Sequence, residues 1–204
     1  MRYPNFSEEK KLRKNGFRFV AGLDEAGRGP LSGPVVAGVA VIKIKKFNID
    51  NIKDSKKLSA RKREEFYKTL TKHPAVEWGI GIVSEKVIDK INILEATKLA
   101  MKKAIKGLKK KPDFLILDGN FKINSPLPQK SIIKADEKVL SCAAASIIAK
   151  VTRDRIMDKY HKKYPLYKFN RHKGYPTKLH FKLLKKHGPC KIHRKSFGPV
   201  RLAK

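Results

Sequence analysis

The run DFLILD, Asp113 to Asp118, places four consecutive apolar residues between two acids. Successive side chains of a strand point to opposite faces, so a strand that is apolar at every position must be covered on both faces. Such a run fits a buried central strand. VVAGVAVI, Val35 to Ile42, reads as another strand, with β-branched residues. VEWGIGIV sets Val76, Trp78, Ile80 and Ile82 along one face, and its two glycines predict close backbone approach or a bulge. FRFVAGL, Phe17 to Leu23, and KSIIKAD, Lys130 to Asp136, complete the predicted strands.

Helical periodicity fills the intervals. SARKREEFYKTLTKH starts at an N-cap, Ser59, and places Phe66 and Leu70 one turn apart. NILEATKLAMKKAIKGL opens on Asn92 with Glu95 three residues later, a variant of the capping box, and Gly107 and Pro112 mark its end. DEKVLSCAAASIIAKVTRDRIMDKYHKKY predicts the longest helix, with Asp136 near its first turn at the positive end of the helix dipole. Its Ala and Ser run permits close packing on a neighbour. After Pro165 the chain turns basic, with GYP and GP breaks around TKLHFKLLKKH. The order of elements predicts an α/β domain on a mixed sheet flanked by helices, residues 1–164, and a basic, mainly helical C-terminal region, residues 165–204, packed on the same domain.

Charge narrows the function. The 204 residues carry 49 Lys plus Arg against 18 Asp plus Glu, a net charge of +31. No acid occurs from Lys159 to Lys204, and so uneven a charge predicts a polyanionic partner. A hydrophobic content of 41% can bury a core, which excludes a disordered basic tail. Cys142 and Cys190 lack paired metal spacing, and Cys142, inside SCAAASIIA, predicts a buried free thiol in a reducing compartment. The N-terminal stretch lacks an apolar signal core and the apolar runs are too short to span a bilayer, which predicts a cytoplasmic protein.

In so basic a chain the acids stand out by position. Asp24 and Glu25 follow the first strand in GLDEAGRGP, Asp118 closes the central strand and Asp136 opens the long helix. Taken singly, each also suits a turn or a cap. Ligand sites form at the strand ends of open α/β sheets, where acids from several ends can converge. Converging carboxylates raise one another's pKa or recruit a cation, and oxygen ligands without His or Cys favour Mg²⁺ or Mn²⁺ over zinc. With a polyanionic partner, this points to phosphodiester chemistry, in which two metal ions activate a water and stabilise the departing oxygen. Gly27 and Gly29 either supply positive φ in a tight turn or let bare backbone approach a sugar, with Arg28 near phosphate.

LDEAGRGPLSGPVVAGVAVI, DSKKLS, NILEATKLAM, LDGN, KADEKVLSCAAASIIAKVTRD and HKGYPTKLH follow one another as the motifs of ribonuclease HII do, and the chain resembles that family from about Gly22 to Phe197. The resemblance implies an RNase H-like fold and an endoribonuclease that hydrolyses the RNA strand of RNA/DNA hybrids. It also implies incision 5′ of ribonucleotides embedded in duplex DNA, leaving a 3′-hydroxyl and a 5′-phosphate. By the same resemblance Asp24, Glu25, Asp118 and Asp136 bind Mg²⁺ or Mn²⁺, two ions during catalysis. Gly27, Arg28 and Gly29 match the motif that contacts the ribose 2′-hydroxyl, and Tyr175 the tyrosine that stacks on the next deoxyribose. The expected partners are those hybrids and ribonucleotide-containing duplexes, bound by a monomer.

Several residues stay open between two roles. Ser55, Lys56 and Lys57 in DSKKL are phosphate contacts or ordinary loop residues. Tyr160, Tyr164, Tyr167 and Phe169, set among lysines, suit a nucleic-acid face or dock the C-terminal region on the core. His172, Trp78 and Met101 read as packing residues. A basic RNA-binding protein without catalysis would bind RNA with no need of divalent metal and leave it intact. A metal nuclease of the same fold acting on a DNA junction would cut an all-DNA substrate.

Overall fold

The structure, a computed structural model, describes residues 3–47, 52, 55 and 58–203. Its sheet contains β1 (Val20–Ala26), β2 (Val35–Ile42), β3 (Val76–Val83), β4 (Phe114–Asp118) and β5 (Gln129–Ile132), in the order β3-β2-β1-β4-β5. The pairs β1/β2 and β2/β3 are antiparallel, while β1/β4 and β4/β5 are parallel, so the sheet is mixed as expected. β1 begins later than FRFVAGL suggested. The Asp113 carboxylate takes the amide protons of Arg18 (2.7 Å) and Phe19 (2.9 Å), which removes them from the ladder. β5 stops before Lys134, which turns left-handed at φ 56°.

The helices are α1 (Ser7–Lys14), α2 (Ala60–Lys72), α3 (Glu85–Lys106), α4 (Leu140–Lys163), α5 (Phe169–His172), α6 (Lys178–His187) and α7 (Gly198–Arg201). β4 shows why both sheet faces need cover. Leu115 and Leu117 join the core under α3 with Ala100, Met101 and Ala104, while Phe114 and Ile116 pack on the other face with Leu12, Val139 and Cys142. Each such side chain contributes about 1.5–3 kcal/mol when fully buried. Trp78 packs beside α2 and donates its indole N–H to the Thr71 carbonyl. The β3 glycines mark close approach: a Cβ on Gly79 or Gly81 would overlap the carbonyls of Ala104 or Ala100 on α3. α4 lies equally close over Gly22 and Gly38 through its small residues.

Ser59 caps α2 as its sequence implies, accepting the Lys62 amide proton. Asn92 also caps, accepting from Leu94 and Glu95, but it does so inside a longer helix that kinks there at φ 63°. The long helix differs from expectation. Asp136 sits on a separate 3-10 turn, Ala135–Glu137, and α4 begins only at Leu140. Glu9 of α1 occupies the place expected for Asp136, accepting from the Ser141 amide (3.0 Å) and hydroxyl (2.8 Å).

Beyond α4, Tyr167 and Phe169 stack with ring centroids 5.4 Å apart and pack on Met157 and Ile192, with Tyr160 and Tyr164 alongside. These aromatics dock the C-terminal segment on α4. His172 is buried among them and donates to the Tyr167 carbonyl. Cys142 is buried, and both cysteines are free thiols. Among the described residues, no helix is long and apolar enough to cross a membrane.

Candidate active site

Leu23 of β1 pairs with Leu117 of β4, so Asp24 and Asp118 are the next residues on two neighbouring parallel strands. The turn after β5 adds Asp136. One carboxylate oxygen from each of Asp24, Asp118 and Asp136 lies within 4.8 Å of the others. Asp24 and Asp136 are 3% and 2% exposed, and Asp118 forms the more open side. Asp118 Oδ1 accepts the Ala135 amide proton at 2.6 Å, which fastens the turn carrying Asp136 to the end of β4. Burial, then the charges of Glu25 and Asp118, push the Asp24 carboxyl well above the usual range, against a hydrogen bond from Ser146. Three crowded carboxylates with no nitrogen or sulfur among them are a donor set for a hard divalent cation.

Glu25 stands beside this set and outside it. Its Oε1 lies 3.4 Å from Arg28 Nη1, so it links the acids to the glycine loop. Ser55 is buried, with its hydroxyl 2.9 Å from that of Ser146. Lys56 and Lys57 lie outside the described residues.

The two loop glycines differ. Gly27 has φ 101°, and a Cβ there would overlap the Arg153 side chain and the Pro34 carbonyl. Gly29 has no positive φ, and a Cβ there meets nothing within 4 Å. The turn therefore accounts for Gly27 alone, and Gly29 presents bare backbone to open space. The Leu31 amide donates to the Gly174 carbonyl at 2.8 Å, tying this loop to the segment that carries Tyr175. Tyr175 is 36% exposed. Its carbonyl accepts from His180 Nδ1, and its ring lies 5.4 Å from Lys150 Nζ.

The sequence reading missed two buried arginines around this loop. Arg153 donates to the carbonyls of Pro34, Lys173 and Ser32, and so bridges the glycine loop and the tyrosine segment. Arg194 donates to the carbonyls of Gly27, Arg28 and Gly33. Nothing in the sequence separates these two from the other basic residues, because only the fold takes them out of solvent.

The family model described as ribonuclease HII matches residues 21–200. The chain is 50% identical to ribonuclease HII of Caldicellulosiruptor bescii over 94% of its length and 92% of that protein. It is 52% identical to ribonuclease HII of Bacillus velezensis over 95% of its length and 74% of that protein. Its fold superposes on the crystal structure of ribonuclease H2 from Pyrococcus horikoshii with a TM-score of 0.73, at 33% identity, covering 91% of this chain and 97% of that one. Sequence and fold thus point to the same relatives, and the chain belongs to the ribonuclease HII family of ribonuclease H-type hydrolases.

Proposed function

We propose that the protein hydrolyses the RNA strand of RNA/DNA hybrids and incises duplex DNA on the 5′ side of an embedded ribonucleotide, leaving a 3′-hydroxyl and a 5′-phosphate. The observation that carries this reading is the convergence of Asp24, Asp118 and Asp136 at the start of a loop whose backbone is open at Gly29. When bound, two Mg²⁺ or Mn²⁺ ions would supply the positive charge that activates a water and stabilises the departing 3′-oxygen. Asp24, Asp118 and Asp136 would hold them, with Glu25 completing or orienting the set through its link to Arg28.

Substrate choice belongs to the loop and the tyrosine. The Gly27–Arg28–Gly29 backbone contacts the 2′-hydroxyl, the group by which RNA differs from DNA. The Tyr175 ring stacks on the deoxyribose that follows. Residues 165–204, which contain no acid, grip the phosphate backbone and work with residues 1–164 as one monomeric unit.

A DNA duplex containing one ribonucleotide tests the reading. With Mg²⁺ or Mn²⁺ we expect a single nick 5′ of the ribonucleotide, no cutting of an all-DNA duplex or junction, and no nick by Asp118→Asn. An uncut ribonucleotide duplex in either metal, or undiminished cutting by the variant, overturns it.

A further inference from the structure

We infer that Arg194 is a positioning residue for ribose recognition: it grips two successive carbonyls of the glycine loop from within and so turns the Arg28 and Gly29 amides outward as paired donors. The inference rests on the reading of that loop as the 2′-hydroxyl contact. Arg194 itself is fully buried and does not touch the substrate.

The geometry is specific to one loop. Nη2 donates to the Gly27 carbonyl at 2.6 Å, Nη1 to the Arg28 carbonyl at 2.9 Å and Nε to the Gly33 carbonyl at 3.0 Å. The Arg194 backbone amide adds a bond to the Leu31 carbonyl at 2.9 Å. Every side-chain nitrogen of this buried cation is thus spent on main-chain oxygens of residues 27–33, and among the described residues no carboxylate forms an ion pair with it. Burying a guanidinium is costly, and a loop that needed only filling would be served by an apolar side chain.

Peptide planarity gives the arrangement its consequence. The Gly27 carbonyl shares a peptide plane with the Arg28 amide, and the Arg28 carbonyl shares one with the Gly29 amide. In a trans peptide the C=O and N–H point in opposite directions, and the described chain has no cis bond. Drawing both carbonyls onto the guanidinium therefore aims both N–H groups away from it. Neither amide has a protein acceptor among the described residues, and both residues are exposed whereas Gly27 is buried. Two adjacent N–H groups beside a residue with no side chain form a small concave donor site for one oxygen.

The guanidinium is itself held in place. Asp89 on α3 accepts from the Lys195 amide (2.9 Å), the Ser196 amide (2.9 Å) and the Ser196 hydroxyl (2.6 Å), and the Phe197 ring lies 5.1 Å from the Arg194 guanidinium carbon. Lysine cannot substitute: it keeps the charge, but a single ammonium lacks the planar fork that spans successive carbonyls.

The test is Arg194→Lys in an Asp118→Asn background, where duplexes bind without being cut. Affinity is measured for a duplex with one ribonucleotide and for the same sequence in DNA alone, with thermal melting as the check of folding. We expect the preference for ribose to fall about tenfold while affinity for the all-DNA duplex is unchanged. An unchanged preference in a folded variant overturns the inference, and so does an equal loss for both duplexes, which marks a merely structural role. If the lysine variant does not fold, ¹⁵N spectra of the Asp118→Asn protein decide: the Arg194 guanidinium and the Arg28 and Gly29 amides should shift with the ribonucleotide duplex and not with DNA. Identical shifts with both duplexes overturn the inference. A parent protein with no preference for ribose overturns the reading of the loop itself, and this inference with it.

Discussion

Gly27 and Gly29 stand in one short loop and meet opposite surroundings. Gly27→Ala forces a side chain into a left-handed turn and onto Arg153, and should destabilise the protein by about 2–4 kcal/mol in urea unfolding. Gly29→Ala should leave stability within about 0.5 kcal/mol, because its Cβ meets no protein atom, yet should lower the rate on a single-ribonucleotide duplex. Equal destabilisation by both changes would show that the loop uses its glycines alike. The sequence could show that two glycines flank an arginine, but not which of them the fold requires, because that depends on Arg153 arriving from α4. Asp24 and Asp118 were legible because an acid at the end of an apolar run is visible in one dimension, whereas Asp136 stood out as the opening acid of a long helix that it in fact precedes. Ser55 was not: its turn inward toward Ser146 is set by a helix far away in sequence.

At the level of elements, the sequence is informative wherever an element carries its own signals. β2 and β3 fall where apolar pattern puts them, and α2 starts one residue after its own cap. It misleads where one element completes another. α4 has no acid in its first turn and takes its cap from Glu9, 132 residues before Ser141. The short, mostly charged α1 gave no periodic signal of its own. Glu9→Ala should therefore destabilise the protein by about 1–3 kcal/mol, since it strips the acceptor from two buried Ser141 donors. Glu9→Gln, which keeps an acceptor oxygen, should cost less. Denaturant midpoints of the two variants check this, and equal losses would remove the capping role. Burial raises the Glu9 carboxyl pKa, so the amide exchange is a mild one.

On the scale of the molecule, the basic C-terminal region is seated on a neutral histidine pair. His180 Nδ1 donates to the Tyr175 carbonyl, which leaves Nε2 to accept from His193 Nε2 at 3.1 Å, and His193 Nδ1 accepts from the Cys190 amide. His172 stacks on His180 with ring centroids 4.3 Å apart. Burial, then the neighbouring histidine, lowers His180 and His193 to about 4 each. Their folded pKa lies below the unfolded value of about 6.5, so the unfolded chain takes up protons first as the medium acidifies. The stability they contribute is complete above about pH 6.5 and is lost as pH falls toward about 4. Asp24 acts in the opposite sense, so the informative quantity is a difference between proteins that share it. The gap in melting temperature between the wild-type protein and His193→Asn should narrow from pH 7 to pH 4.5, and a constant gap would refute the assignment. Sequence alone showed this region as a cationic arm; that His172, His180 and His193 are packing residues inside it is visible only once α6 and the segment after it close together.

Arg194 reaches back 167 residues to Gly27. Translation runs in the other direction: the acids and the glycine loop leave the ribosome early, while the guanidinium that sets the loop is still to be made. A nascent chain thus carries its carboxylates before the arginine that holds the glycine loop, and that loop cannot take its braced shape until residue 194 has been made.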